Sequence, residues 1–299
     1  MRQPCFLAQD NWKTVPWALN PASKNQQNLL TDILVDIPTL LETYDAQYKE
    51  SGEKQQFGNG CDLLSRIDAT LFSLCCWRYT WELLNPNAAY ETTPPPTDGG
   101  TRLVPNRLYF HTYKDAANIQ LYNAILIFLI DLLDRLSPPT AKMDSILQRS
   151  ALHAAKVSSY HLTLSPTNTA PLCLPHTVLS SFEPAIEIIR AFEFQIHKAA
   201  QNVSSNLFFL FPLGIAGEVL KKKEEYRSWI QTLLNTSRFT KGYAAGRNNW
   251  FGDNYKGELQ IRSRNNSKEI IPVRHTEWKT ERDFRYRRAA FLAGVSSTS

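Results

Sequence analysis

One long apolar stretch, residues 116–136, constrains the fold more than any other part of the chain. Its apolar side chains recur three and four residues apart, which stacks them on one helical face, and Leu121, Phe128 and Ile130 extend the apolar surface to the other faces. A helix that is apolar on every side needs a protein core or a membrane around it. A bilayer span takes roughly 20 consecutive apolar residues. Four polar residues interrupt the run, namely Asn118, Gln120, Asn123 and Asp131. The stretch therefore predicts a buried central helix in a soluble helical domain, with no membrane span.

Further segments with helical spacing surround this stretch. The expected helices cover about residues 27–48, 62–84, 141–159, 179–200, 206–220 and 227–236. Pro38 should break or kink the first, and Asn85-Pro86 should end the second. The composition of segments 49–60 and 91–102 is typical of linkers and loops, while 108–113 is expected to form the first turns of the central helix. No alternation is long enough to predict a sheet, so the sequence predicts an all-α, multi-helix bundle or array around the central helix.

The charge is unevenly distributed. From residue 259 onward, nine basic residues face four acidic ones, and this excess accounts for the net charge of +5 of the whole chain. We therefore expect a helical domain over residues 1–257 and a basic, largely disordered tail over 258–299. The basic residues of interest in this tail are Arg282, Arg285, Arg287 and Arg288. Their pattern suits nuclear import or weak nucleic-acid contact, and a solvated tail without either role is the alternative.

Cysteines and histidines give no catalytic or metal-binding signature. The five cysteines include no Cys-x-x-Cys pair, which indicates free thiols in a reducing compartment. The N-terminal residues lack an apolar signal core, so we expect no secretion. No Ser-His-acid or Cys-His signature is present, and we predict neither a metal nor a cofactor.

Aromatic residues flank an arginine on the second predicted helix. Trp77 and Trp81 lie one turn apart with Arg78 between them, and an arginine stacked on an indole could line a ligand cleft. Tyr122 on the central helix and Arg190 on a later helix complete the candidate ligand- or partner-binding site. The alternative is that these residues serve helix packing, as aromatic side chains usually do.

Charged residues with helical spacing suggest two local contacts. Asp131 and Arg135 stand four residues apart and should form an ion pair. Glu187, Arg190 and Glu193 stand three residues apart on one face, so Arg190 could pair with either acid. We interpret this group as a polar contact between helices.

Seven sets of residues, in order over about residues 10–250, resemble the C-terminal regulatory region of fungal zinc binuclear-cluster transcription factors. They are Trp12-Lys13-x-Val15-Pro16; Asp32-Ile33-Leu34-Val35-Asp36-Ile37-Pro38 with Leu40, Leu41 and Glu42; Trp77-Arg78-x-x-Trp81 with Asn85-Pro86; Leu121-Tyr122-Asn123-Ala124; Glu187-Ile188-x-Arg190-Ala191-Phe192-Glu193-Phe194; Leu207-Phe208-x-Leu210-Phe211-Pro212-Leu213-Gly214; and Trp229-Ile230 with Gly242-Tyr243-Ala244-x-Gly246.

The resemblance implies an all-helical, non-enzymatic regulatory module that acts in fungal transcription. It would bind protein partners, such as full-length zinc-cluster regulators, or a small effector. The sequence contains no Cys-x-x-Cys-x6-Cys run, so we expect no direct sequence-specific DNA binding. The resemblance places such a protein in the nucleus, with the cytoplasm as the alternative, and commonly beside biosynthetic genes. Two other functions stay open: a helical enzyme with a pocket near Trp77, Arg78, Tyr122 and Arg190, and a structural interaction scaffold.

Overall fold

A computed structural model describes residues 4–50, 57–93, 103–136, 143–161, 171–198, 207–221 and 223–236. The predicted tail 258–299, with Arg282, Arg285, Arg287 and Arg288, lies outside the described residues, as does the segment 242–246. Within the described part, helices pack together and a single two-stranded sheet accompanies them, which confirms the all-α prediction. The helices are α1 Asp10–Thr14, α2 Gln26–Leu34, α3 Ile37–Glu50, α4 Phe57–Leu84, α5 Tyr113–Leu136, α6 Met143–Val157, α7 Phe182–Lys198, α8 Leu207–Leu220 and α9 Glu224–Thr236; the strands are β1 Ala89–Thr92 and β2 Arg107–Phe110.

Helix α5 is the buried central helix that the sequence predicts. Its side chains from Ile119 to Ile130 are all buried, polar ones included. Helices α2, α3, α4, α7 and α8 all pack against it. By length and composition α5 could also cross a membrane, but 94% of its apolar window is buried inside the protein. A core helix passes the same test, and the burial of α5 is accounted for by its neighbours.

Proline positions explain how the first helical segment is divided. The expected break near Ile37 is confirmed, because α2 ends at Leu34 and α3 begins at Ile37. Pro38 is then the second residue of α3, where a missing backbone N–H costs nothing because the first-turn donors have no partner within the helix. The start of α2 is capped by Asn25, whose side chain accepts a hydrogen bond from the Asn28 N–H at 3.1 Å.

The β1–β2 hairpin corrects two predictions. Strands β1 and β2 pair antiparallel, with Ala89 opposite Phe110 and Tyr90 opposite Tyr109. The expectations that no sheet would form and that residues 108–113 would open the central helix were therefore wrong. Each strand is only four residues long, and in β2 only Leu108 and Phe110 alternate inward, which is too short a pattern to recognise in the sequence. The hairpin packs on α7, where the ring of Tyr109 meets Phe194 edge-on at 6.0 Å.

Two helix starts also differ from prediction. Helix α4 begins at Phe57, inside the expected linker 49–60, and α9 begins at Glu224 rather than at about residue 227. In α9 the first turn carries Glu224 and Glu225, which are favourable at a helix N-terminus because of the helix dipole.

The central role of α5 predicts a strong contrast between two leucine truncations. Leu129 on α5 is fully buried, whereas Leu152 on α6 is 45% exposed. Leu129→Ala should lower the free energy of unfolding by about 2–5 kcal/mol, because it opens a cavity in the core. Leu152→Ala removes the same atoms from a helix surface and should cost less than about 1 kcal/mol. Urea unfolding measures both, and equal losses would contradict this account of the core.

Candidate functional site

Helices α4 and α5 bring together four of the five residues proposed from the sequence as a binding site. The Trp77 ring stacks with Trp81, at 6.2 Å between centroids, and with Tyr122, at 5.8 Å, with interplanar angles of 20° and 19°. Trp77 also donates a hydrogen bond from Nε1 to the Gln26 carbonyl on α2, at 2.8 Å. The Arg78 guanidinium carbon lies 5.1 Å from the Trp81 ring centroid and 6.0 Å from that of Tyr122. These four residues, Trp77, Arg78, Trp81 and Tyr122, form what we call the Arg78 cluster.

Arg78 is a fully buried cation with only part of its hydrogen-bonding capacity used. Its side chain is completely buried, and Nη1 donates to Glu82 Oε2 at 2.6 Å, one helical turn along α4. Nε and Nη2 are buried as well, and neither has a hydrogen-bond partner among the described residues. A buried donor without an acceptor costs about 1–3 kcal/mol, and more when the group is charged. The cluster therefore contains two strong donors that lack an acceptor from the described part of the chain.

Tyr122 adds a second unsatisfied polar group to the cluster. Its hydroxyl is buried and has no hydrogen-bond partner within the described ranges. Burial raises the pKa of this hydroxyl well above its usual value, with the nearby Cys75 thiol acting in the same direction and Arg78 opposing it. Tyr122 is therefore a neutral hydroxyl that can still donate a hydrogen bond.

Glu187 on α7 is a buried acid close to Arg78, and the sequence did not identify it as part of a site with that residue. Asn123 Nδ2 donates to Glu187 Oε1 at 2.7 Å, and the Cys173 N–H donates to Oε2 at 2.6 Å. Burial raises the pKa of Glu187, while the charge of Arg78 and these hydrogen bonds oppose the rise. The sequence signals were the spacing of Glu187 from Arg190 and Glu193 and its place in a motif segment, and neither reveals the neighbours of the carboxylate.

A set of polar aromatic contacts formed by Tyr79, Tyr160 and His176 borders the cluster. Tyr79 follows Arg78 on α4, and its hydroxyl lies 3.0 Å from His176 Nδ1. Burial lowers the pKa of His176, which favours the neutral imidazole. The Tyr160 ring is tilted by 34° against that of Tyr79, with 4.8 Å between the centroids. Glu82, which pairs with Arg78, is a quarter exposed to solvent.

Arg190, the fifth proposed residue, takes part in a different contact. Its Nη2 forms an ion pair with Glu91 on β1 and lies 3.4 Å from the Asn106 carbonyl. The expected partners were Glu187 and Glu193. Glu187 instead binds Asn123 and Cys173, and Glu193 lies 3.3 Å from Arg107 Nε on β2. Arg190 therefore fastens the hairpin to α7, because its long side chain reaches a strand that the sequence did not predict.

Two simpler predictions concern local pairs and thiols. The expected pair between Asp131 and Arg135 is present at 2.8 Å on the surface of α5.

Burial is the main cause that raises the pKa of the thiols of Cys75 and Cys173 far above the usual value, so both are protonated and poorly nucleophilic. Among the described residues, no group of three or more His, Cys, Asp or Glu side chains could hold a metal ion.

No protein-family model, curated protein or solved structure matches this chain.

The raised pKa of Glu187 predicts a specific pH dependence of stability. The folded protein holds the Glu187 proton more tightly than the unfolded chain, in which the carboxyl titrates near 4.5. The resulting stabilisation is complete below pH 4.5 and is lost as the pH rises through the folded-state pKa. From pH 4.5 upward, the free energy of unfolding should thus fall more steeply, or rise less, in the wild type than in Glu187→Gln.

Urea unfolding at a series of pH values measures this difference. Glu225→Gln, which changes an exposed glutamate on α9, is the matched control and should run parallel to the wild type. Parallel curves for the wild type and Glu187→Gln would contradict the raised pKa.

Proposed function

We propose that this protein is a non-enzymatic regulatory module of the type found in fungal zinc-cluster transcription factors. Its helical body would bind a partner protein or a small effector and so influence transcription. The all-helical architecture is the one that the resemblance implies. The motif segments provide the more specific support.

The observation that carries the proposal is the meeting of three motif segments at one place. Trp77-Arg78-x-x-Trp81 comes from α4, Leu121-Tyr122-Asn123-Ala124 from α5, and the segment that begins at Glu187 from α7. Asn123 hydrogen-bonds Glu187, and Tyr122 stacks on Trp77 beside Arg78. Segments far apart in the sequence thus build one polar cluster inside an apolar core, as expected of residues that share a regulatory site.

The chemistry of the cluster favours binding over catalysis. The Tyr122 hydroxyl and the Cys75 and Cys173 thiols have raised pKa values, so they are poor bases and nucleophiles near neutral pH. Glu187 has a raised pKa, as a catalytic acid does, but both of its oxygens already accept hydrogen bonds. A helical enzyme with a pocket here is therefore the weaker proposal, and a scaffold without a ligand leaves the free donors of Arg78 unexplained.

We propose that DNA is read outside these 299 residues. The sequence contains no Cys-x-x-Cys-x6-Cys run, and its body carries no net charge, which is a poor match for the DNA backbone. Co-assembly or competition with a full-length zinc-cluster regulator, through similar helical surfaces, would connect the protein to its target genes. The basic segment with Arg282, Arg285, Arg287 and Arg288 suits import into the nucleus, where such a partner acts.

The proposal predicts a mixed complex. On gel filtration, the protein should co-elute with a full-length fungal zinc-cluster regulator at a volume corresponding to their combined mass. The zinc-cluster DNA-binding domain of that regulator, without its helical region, is the control and should elute separately. Separate elution from every full-length regulator tested would contradict co-assembly.

A further inference from the structure

The two unsatisfied donors of Arg78 lie on the same edge of the guanidinium group. Nε–H and one N–H of Nη2 point in parallel, with the spacing of two carboxylate oxygens. The other edge is occupied, because Nη1 donates to Glu82 at 2.6 Å. One edge is thus fixed by the protein, and the edge that binds carboxylates side-on has no acceptor among the described residues.

The surroundings hold this free edge in a defined orientation. The guanidinium carbon lies 5.1 Å from the Trp81 ring centroid, and Trp81 is itself stacked on Trp77. The hydrogen bond to Glu82 restrains the Arg78 guanidinium within the plane of the guanidinium, and the Trp81 indole restrains it from one side of that plane. A binding group that is already oriented loses little entropy when a ligand arrives.

The nearest buried acid does not serve as the missing acceptor. Glu187 is close enough for its charge and that of Arg78 to influence each other. Its two oxygens nevertheless accept hydrogen bonds from Asn123 Nδ2 and the Cys173 N–H, rather than from the guanidinium. Glu187 lowers the cost of burying the cation, and no described residue accepts a hydrogen bond from the Nε–Nη2 edge.

We propose that the Nε–Nη2 edge of Arg78 binds the carboxylate of a small organic acid, and that the Tyr122 hydroxyl donates a further hydrogen bond to it. The proposal rests on the proposed regulatory function, for which it names the chemical class of the effector. A carboxylate fits better than a phosphate, because Glu82 and Glu187 would repel a dianion. The rings of Trp81 and Tyr122 lie beside the guanidinium group, with their centroids 5.1 and 6.0 Å from its carbon.

The direct test is a titration of the full-length protein with acetate and with benzoate. Isothermal titration calorimetry should show saturable binding of at least one acid with one site per chain, and the same acid should raise the Tm. The amide of equal shape, acetamide or benzamide, should bind at least about ten-fold more weakly, because it lacks the negative charge that strengthens a bond to a guanidinium. Binding of neither acid, or equal binding of acid and amide, would overturn the proposal.

Three variants locate the binding site. Arg78→Lys should abolish binding, because an ammonium group cannot offer two parallel donors. Tyr122→Phe keeps the stacked ring, and should weaken binding about ten-fold by removing one hydrogen bond. Arg149→Lys changes an arginine that is two-thirds exposed, bound to Asp68 on the surface, and should leave binding unchanged.

If Arg78→Lys does not fold, Tyr122→Phe tests whether the acid binds at the Arg78 cluster. Undiminished binding in Tyr122→Phe, or equal losses in it and in Arg149→Lys, would overturn the assignment. The calorimetry uses the purified protein alone, so its failure is distinguishable from a failure of the mixed complex with a zinc-cluster regulator.

Discussion

The burial of α5 is the constraint on which the rest of the structure depends. A helix with apolar residues on all faces needs neighbours on all sides, and here α2, α3, α4, α7 and α8 supply them. The amide side chains of Asn118, Gln120 and Asn123 on α5 are buried with the apolar residues, where a polar group without a hydrogen-bond partner is costly. Asn123 Nδ2 donates a hydrogen bond to Glu187 on α7, and Gln120 Nε2 donates one to the Ile188 carbonyl at 3.3 Å. The same helix thus sets both the architecture and the position of the polar groups inside it.

A buried cation is the second feature that needs a physical explanation. Replacing a buried ion pair by apolar residues is often neutral or stabilising, so the buried pair of Arg78 is not expected to make a large net contribution to the stability of the fold. Its contact with Glu82, its stacking on Trp81 and the nearby charge of Glu187 compensate part of the desolvation cost. The unpaired Nε and Nη2 add to that cost. The proposed ligand-binding role would account for a residue that folding alone does not favour.

Periodicity in the sequence revealed the long helices, because burial imposes a spacing that extends over several turns. It predicted α5 and the break before α3 for this reason, and it placed Trp77, Arg78 and Trp81 on one helix. The sequence did not predict the β1–β2 hairpin, because strands of four residues are too short to show a clear alternation of buried and exposed side chains. The predicted contact between Glu187 and Arg190 was wrong, because the two residues on adjacent turns of α7 face different neighbours. Glu187 faces α5, whereas Arg190 faces the hairpin. Spacing within a helix gives no information on which neighbour a side chain meets.

A high-resolution crystal structure of the protein grown with benzoate would test the central claim most directly. The account predicts electron density for a carboxylate whose two oxygens lie within about 3 Å of Arg78 Nε and Nη2. It also predicts that Nη1 keeps its contact with Glu82. An Arg78 side chain whose Nε and Nη2 both donate to atoms of the protein itself, with no benzoate beside them, would contradict the claim that this edge is a binding site.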